Sequence, residues 1–197
     1  MRSLPALIAS AAVVALTALP ARAQTREGFY VGGGIGRGSA VLTADSNCQL
    51  CRPFSTGRKG GLTADLRLGQ SLGPHVGLEV DLNRWFHLHD PPLYSFSNAS
   101  LAVSFHPGHS GFFVKAGPGL ARLALKQSQT MTLSNIKVGF TAGVGYDVPI
   151  GRTTAVSPMA TYWWGNPGTP TFDDIGGPVD VGYRYNVLEL SVGVTFY

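Results

Sequence analysis

The feature that most constrains this chain is a strict alternation of apolar residues with small or polar ones. From Ile136 to Val148 every second residue is apolar, and the residues between them are lysine, glycine, threonine and aspartate. A helix would mix these two sets around its circumference, whereas a β-strand separates them onto opposite faces. The segment is therefore predicted to be a strand with one apolar face and one small or polar face.

The same alternation recurs along the chain. It is clear in residues 62–69, 76–83 and 188–197, and weaker in residues 29–38, 98–106, 111–121 and 153–164. Short turns are predicted at 73–74, 107–109 and 149–151, and longer polar loops at 39–59, 87–97, 122–135 and 165–182. Short turns that alternate with long loops are typical of bacterial outer-membrane barrels. The predicted fold class is all-β, an eight-stranded antiparallel up-and-down transmembrane β-barrel.

Composition argues against two other classes of protein. Only 13% of the residues are charged, whereas a soluble domain carries about 25%. A helical membrane protein needs apolar runs of about 20 residues, and the sequence has none after residue 23. Strands that alternate apolar with small residues account for both observations.

The first residues are predicted to be a cleaved export signal. Arg2 is followed by a mostly apolar stretch from Leu4 to Leu19 and by the small-x-small pattern Ala21-Arg22-Ala23. The expected organisation is a signal peptide at 1–23 and one barrel domain at 24–197, located in the cell outer membrane; a retained membrane anchor is the alternative. Removing the signal lowers the formal net charge from +4 to +2, which gives no reason to expect a nucleic-acid partner.

Alternation alone does not tell which face of the sheet points into the barrel. A soluble lipocalin-type barrel also has eight strands, but with an apolar interior and a polar exterior. The polar face here is rich in glycine, serine and threonine, which suits the narrow lumen of an eight-stranded barrel. Aromatic residues also gather at strand ends, as in the two belts of membrane barrels. One group is Phe29, Tyr30, Phe105, Phe112, Phe113, Tyr146, Phe196 and Tyr197, and the other is Trp85, Phe86, Tyr162, Trp163, Trp164, Tyr183 and Tyr185.

The order of these features resembles a known family. The export signal, the opening segment 28–34 (GFYVGGG), the eight alternating strands and the closing segment 192–197 (VGVTFY) are similar to small outer-membrane barrels of the OmpA/OmpX type. The resemblance implies an outer-membrane location and a C-terminal assembly signal formed by Val192, Val194, Phe196 and Tyr197. The family usually ends on Phe or Trp, and Tyr197 departs from that pattern. The resemblance does not assign an activity.

A set of charged residues is predicted to point into the lumen. Its members are Asp65, Arg67, Glu79, Asp81, Lys115, Lys137 and Glu189. The turn at 73–74 makes the second and third strands a hairpin, which places Arg67 opposite Glu79 or Asp81. Because unpaired charges in a narrow lumen are costly, a mutually neutralising network is expected. The alternative is a gate that opens a narrow ion path when the pairs exchange.

Two cysteines, Cys48 and Cys51, lie in the first predicted loop and are expected to form a disulfide in an oxidising compartment. His87 and His89 would lie on the same side of the membrane, so a Cys/His metal site is an alternative. A single pair of cysteines is weak evidence for metal, and no metal or cofactor is expected.

The expected function is that of a structural or surface-interaction protein with a plugged lumen. A lipid-modifying enzyme is an alternative, for which Ser104 and His106 share a face, but no set of nucleophile, base and orienting group emerges. The expected partners are outer-membrane lipid and the barrel-assembly machinery, with a monomeric protein and an unidentified external ligand. Pro118 and Pro158 interrupt predicted strands, and a bulge or an early strand end is expected at each.

Overall fold

The computed structural model describes residues 28–44, 56–87, 93–108, 110–126, 132–168 and 183–197. These residues form eight long antiparallel strands, labelled here in chain order: β1 (Gly28–Ala44), β2 (Thr56–Ser71), β3 (Val76–His87), β4 (Leu93–Phe105), β5 (Phe112–Lys126), β6 (Thr132–Tyr146), β7 (Thr154–Gly168) and β8 (Tyr183–Phe196). A two-residue extended segment, Val148–Pro149, pairs with the start of β7. Within the described residues, no helix has the length and apolar character needed to cross a membrane.

The sheet closes on itself. Each strand pairs with the next along the chain, and β1 also pairs with β8 from Val31↔Phe196 to Ala44↔Tyr183. In hydrocarbon every backbone polar group must be paired within the protein, and a closed barrel achieves this because it has no sheet edge. The prediction of an eight-stranded antiparallel barrel is confirmed. We call the end with the short turns the turn end and the opposite end the loop end.

The strands are longer at the loop end than the alternation predicted. β1 continues to Ala44, and β2 begins at Thr56, both inside the predicted loop 39–59. The outward positions there are less apolar, as at Arg58 and Gly60, so the alternation weakens although the pairing continues. The sequence pattern therefore marks the lipid-facing part of each strand and misses the part beyond it.

The two faces of the sheet differ as a membrane barrel requires. Along β3 the exposed residues include Leu78, Val80 and Leu82, whereas Glu79 and Asp81 are buried. The other strands show the same arrangement, with apolar residues on the wall and polar ones in the lumen. A lipocalin-type barrel has the reverse arrangement, so that alternative is excluded.

The two prolines do not bulge or end their strands, contrary to expectation. Pro118 pairs with Phe140, and Pro158 pairs with Val192, each in an unbroken register. Pairing is interrupted only towards the other neighbour, β4 at Pro118 and β6 at Pro158, and it resumes in the same register. A strand residue directs its N–H and C=O to one neighbour, so the missing proline donor costs one ladder position and no more.

Several inward glycines make room for large luminal side chains. A β-carbon added at Gly69 would collide with the ring of Tyr30, and one added at Gly145 would collide with the ring of Phe113. The Tyr30 ring is also held in place, because its hydroxyl donates to Glu79 Oε2 at 2.7 Å. The small residues on the inner face are therefore matched to particular large partners in the narrow lumen.

Gly69→Ala is expected to destabilise the barrel by about 1–3 kcal/mol, because the extra methyl overpacks a site whose ring is fixed by a hydrogen bond. Gly60→Ala is the matched control, since Gly60 lies on the same strand and a β-carbon there has no atom within 4 Å. Urea unfolding in detergent measures both variants. Equal midpoints for the two would contradict this account of the inner glycines.

Candidate functional site

The lumen is filled by side chains in three layers. The turn-side layer contains Tyr30, His106, Phe113, Asp147 and Tyr197; the charged layer contains Asp65, Arg67, Glu79, Asp81, Lys115 and Glu189; and the aromatic layer, towards the loop end, contains Leu42, Trp85, Phe96, Leu123, Trp163 and Tyr185. The inward direction of all these side chains follows from the alternation along their strands, or along the turn next to the strand. The lumen is therefore the candidate functional site.

In the charged layer, Lys115 is the counter-ion of two acids. Its Nζ lies 2.5 Å from Asp81 Oδ2 and 3.6 Å from Glu79 Oε1. The three side chains are almost completely buried, and Tyr30 donates a further hydrogen bond to Glu79. Two carboxylates on β3 are thus neutralised from β5, across the intervening strand β4.

The hairpin geometry suggested that Arg67 bridges Glu79 and Asp81, but the structure does not show this bridge. Its Cα does lie opposite Asp81 in the β2–β3 register. Its side chain, however, donates from Nη2 to Thr195 Oγ1 at 2.9 Å, and its Nε lies 3.9 Å from Asp65 Oδ1. Since Lys115 holds the β3 acids, the guanidinium turns to the β8 side of the lumen.

The remaining predicted charges have different positions. Glu189 is buried and accepts a hydrogen bond from Trp163 Nε1 at 3.1 Å. Lys137, in contrast, has an exposed side chain and lies outside the charged layer. Pairing between β6 and β7 extends only as far as Gly139↔Gly165, so Lys137 lies beyond the closed part of the wall at the loop end. Six of the seven predicted luminal charges are therefore buried, and Lys137 is not.

Asp147 is a luminal acid that sequence reasoning missed. Its Oδ1 accepts from Ser157 Oγ at 2.6 Å, and its Oδ2 accepts from the Tyr197 hydroxyl at 2.7 Å. It follows Tyr146 at the end of β6 and has the inward parity of Thr141, so the alternation itself was the signal that could have identified it. The C-terminal residue is thereby tied to the turn-side layer.

The turn-side layer does not form a catalytic set among the described residues. A cavity of about 20 Å³ there is lined by Ser104, His106 and Asp147, among others, and a cavity this small holds about one water molecule. His106 Nε2 lies 3.8 Å from Asp147 Oδ2, beyond hydrogen-bond distance. This geometry leaves no room for a lipid substrate and gives the enzyme alternative no support.

The aromatic layer is packed ring against ring. Phe96 stacks between Trp85 and Tyr185, with centroid distances of 5.1 Å and 4.6 Å. The polar atoms of the rings are satisfied, since Trp85 Nε1 donates to Gly38 O at 3.1 Å and the Tyr185 hydroxyl donates to Ser97 O at 2.7 Å. Trp85 and Tyr185 belong to the aromatic belt predicted from the sequence, but their parity turns both rings into the lumen, where they pack against Phe96.

An apolar wall, a closed sheet of eight strands and a filled polar lumen define a transmembrane β-barrel. The sequence agrees with this class, because residues 8–196 match the family model of the outer membrane protein beta-barrel domain. The chain belongs to the outer membrane protein β-barrel domain family. Membership of this family implies a location in the outer membrane, where the short turns of such barrels face the periplasm.

Solved structures of the same fold support the architecture. Neisserial surface protein A is 17% identical, with a TM-score of 0.55, and the match covers 86% of this chain and 97% of that one. Ail, the attachment invasion locus protein of Yersinia pestis, crystallised with the heparin analogue sucrose octasulfate, is 12% identical with a TM-score of 0.51, covering 86% and 99%. At these identities the likeness concerns the fold alone. A comparison with curated protein sequences gives no match.

Some predicted features lie outside the described residues. They are the signal peptide at 1–23, Cys48, Cys51 and His89. His87 is described, and its Nδ1 lies 3.0 Å from Gly60 O. No group of three metal-ligating side chains occurs in the part of the chain that the structure describes. In the predicted assembly signal, Val192, Val194 and Phe196 point outwards.

Lys115→Met is expected to destabilise the barrel by roughly 3–5 kcal/mol, because Glu79 and Asp81 lose their shared buried counter-ion. Water that enters the lumen and screens the two carboxylates would reduce this loss. Lys137→Met removes the same charge from an exposed position and is expected to leave stability nearly unchanged. Urea unfolding in detergent, followed by tryptophan fluorescence, compares the two variants. A similar loss in both would mean that Lys115 is not a buried counter-ion.

Proposed function

We propose that this protein is a non-conducting, plugged outer-membrane barrel with a structural and surface-interaction role. The observation that carries the proposal is the filling of the lumen by three consecutive layers of side chains. Large rings close the loop end, ion pairs occupy the middle, and Asp147 with Tyr197 occupies the turn end. A continuous water path through the barrel would have to pass all three layers.

The length of the strands supports a role at the cell surface. A transmembrane strand needs about 9–11 residues, whereas β1 has 17 residues and β2 has 16. The wall therefore continues beyond the lipid at the loop end and raises the external connections above the membrane. A rigid, filled barrel is a suitable platform for such connections, because binding residues on loops need a fixed scaffold.

Single-channel recording on the refolded protein in planar bilayers tests the plug. The wild-type protein is expected to show no unitary conductance steps. Trp85→Ala combined with Phe96→Ala should open the aromatic layer and produce steps or an unstable baseline, which shows that the assay can detect an opened lumen. Regular steps from the wild-type protein would instead favour a narrow pore gated by the luminal ion pairs.

We also propose that the protein is monomeric and that its last strand is the segment recognised during barrel assembly. The alternating outward residues Val192, Val194 and Phe196 support this role, because they form an apolar face on a strand whose backbone edge is unpaired until the barrel closes. The tyrosine at the end is then explained by the lumen, since its hydroxyl binds Asp147 at 2.7 Å.

Tyr197→Phe distinguishes a role of Tyr197 in barrel assembly from a role in the stability of the folded barrel. Phe retains a terminal aromatic ring, so the yield of folded barrel in outer membranes is expected to equal that of wild type. The variant removes a donor from a buried carboxylate and should lose about 1–3 kcal/mol in urea unfolding. A large drop in membrane yield, with unchanged stability of the protein that does fold, would contradict this division of roles.

A further inference from the structure

A row of polar residues crosses the outer wall where the apolar surface ends. Arg84 on β3 pairs directly with Ser97 on β4, and Ser97 pairs directly with Arg122 on β5. All three positions have outward parity, and both arginines are exposed. Adjacent strands lie about 4.8 Å apart, so the two arginines start about 10 Å apart with a small side chain between them.

An apolar groove lies directly below this row. In the next outward row, Ala99 lies between Leu82 and Leu120, which are both exposed. Small residues on β4 thus form the floor of the groove between leucines on β3 and β5, and the groove extends to Leu66 on β2 and Ile136 on β6. The groove has a volume of about 440 Å³, and Arg84 and Arg122 line it at the loop end.

Arg84 is held in position at this site. Its Nε donates to Ser95 Oγ at 3.2 Å, and its guanidinium lies 4.7 Å from the centre of the Phe86 ring. Both contacts restrict the side chain, and neither uses the Nη1 and Nη2 donors of the guanidinium. An arginine fork fixed in this manner suits a phosphate group, which it can bind through two parallel hydrogen bonds.

The charges on the wall favour an anionic occupant. The outward-facing arginines of the described strands are Arg37, Arg58, Arg84, Arg122 and Arg184. Every described acid, in contrast, is buried in the lumen or in the turn-side layer. Asp65 is among the residues that line the groove described above, but both of its carboxylate oxygens are buried, so a ligand on the outer wall meets positive charge without a competing carboxylate from the described residues.

A second groove on the wall provides an internal comparison. It lies at the turn end, has a volume of about 540 Å³, and is lined by Phe29, Val31, Leu68 and Leu78, among others, with no arginine or lysine. Gln70 and Glu79 also line that groove, so it has polar residues but no cation for an anionic group. The groove below Arg84 and Arg122 differs from it in combining an acyl-chain surface with cations at one end.

We propose that the groove between β3 and β5 binds one lipid with a phosphorylated headgroup in the outer leaflet. The phosphate lies between Arg84 and Arg122 over Ser97, and an acyl chain lies on Ala99 between Leu82 and Leu120. This site goes beyond the proposed function, because it lies on the wall and does not depend on whether the lumen conducts. It depends on the outward parity of β3, β4 and β5.

Native mass spectrometry of the refolded protein in an uncharged detergent tests the site. The probes are dioleoyl phosphatidate, dioleoylglycerol with the same chains and no phosphate, and glycerol 3-phosphate without chains. Phosphatidate is expected to bind as one tight equivalent, and both other probes should bind at least about tenfold more weakly. Equal binding of glycerol 3-phosphate would reduce the site to an anion site, and equal binding of dioleoylglycerol would reduce it to an apolar groove; either result overturns the proposal.

Two pairs of variants locate the lipid. Arg84→Gln with Arg122→Gln should weaken phosphatidate about tenfold or more, whereas Arg37→Gln with Arg184→Gln removes the same charge elsewhere on the wall and should change little. Ala99→Leu fills the floor of the groove and should also weaken binding, unlike Ala142→Leu on the outer face of β6. A closed barrel is expected to resist detergent until it is heated, so a change in gel mobility on boiling verifies the fold of each variant. Equal losses within either pair would show that binding is general to the wall, and the site would not exist.

Discussion

The structure depends on the pairing of every backbone polar group in a medium without water. A strand in hydrocarbon has no solvent to hydrogen-bond, so the sheet must close, and β8 must return to β1. Closure with eight strands leaves a lumen only wide enough for side chains. The contents of the lumen are therefore set by the wall, and each buried charge or ring needs a partner within a few ångströms.

Polar groups in the narrow lumen are paired in two different ways. Towards the loop end, rings stack and direct their few polar atoms to backbone carbonyls, as Trp85 does to Gly38. In the middle, Lys115 from one side of the lumen neutralises two acids from another. Inner glycines make room for the large side chains. A large residue on one strand can fit only where the neighbouring strand has no side chain, as Tyr30 does beside Gly69. Within the described residues, the lumen is thus filled by side chains of the wall itself and of the turns next to it.

The alternation in the sequence was sufficient to predict the architecture and the direction of nearly every side chain. It places Asp81 and Lys115 inside, and by the same parity Asp147 and Trp85. It could not identify partners, because a lumen brings together side chains from strands that are not neighbours. The hairpin register therefore suggested Arg67 for the β3 acids, although Lys115 reaches them from β5. Lys137 has the correct parity but lies where β6 is no longer paired with β7, a boundary that the pattern does not mark.

The same parity also separates charge by sign. The formal net charge of +4 looks unremarkable, yet within the described strands the acids lie inside the barrel and five arginines lie on its outer wall. Lysine, tyrosine, serine and tryptophan supply hydrogen-bond donors to four of the five described acids, whereas Asp65 has only the Arg67 guanidinium nearby, with Nε at 3.9 Å. Outward arginines are costly at the centre of the apolar band, and Arg58, Arg84, Arg122 and Arg184 lie towards its loop end, whereas Arg37 is flanked by Leu62 and Leu190. The border of the hydrocarbon is thereby marked by cations, and it is at such a border that a lipid presents its phosphate.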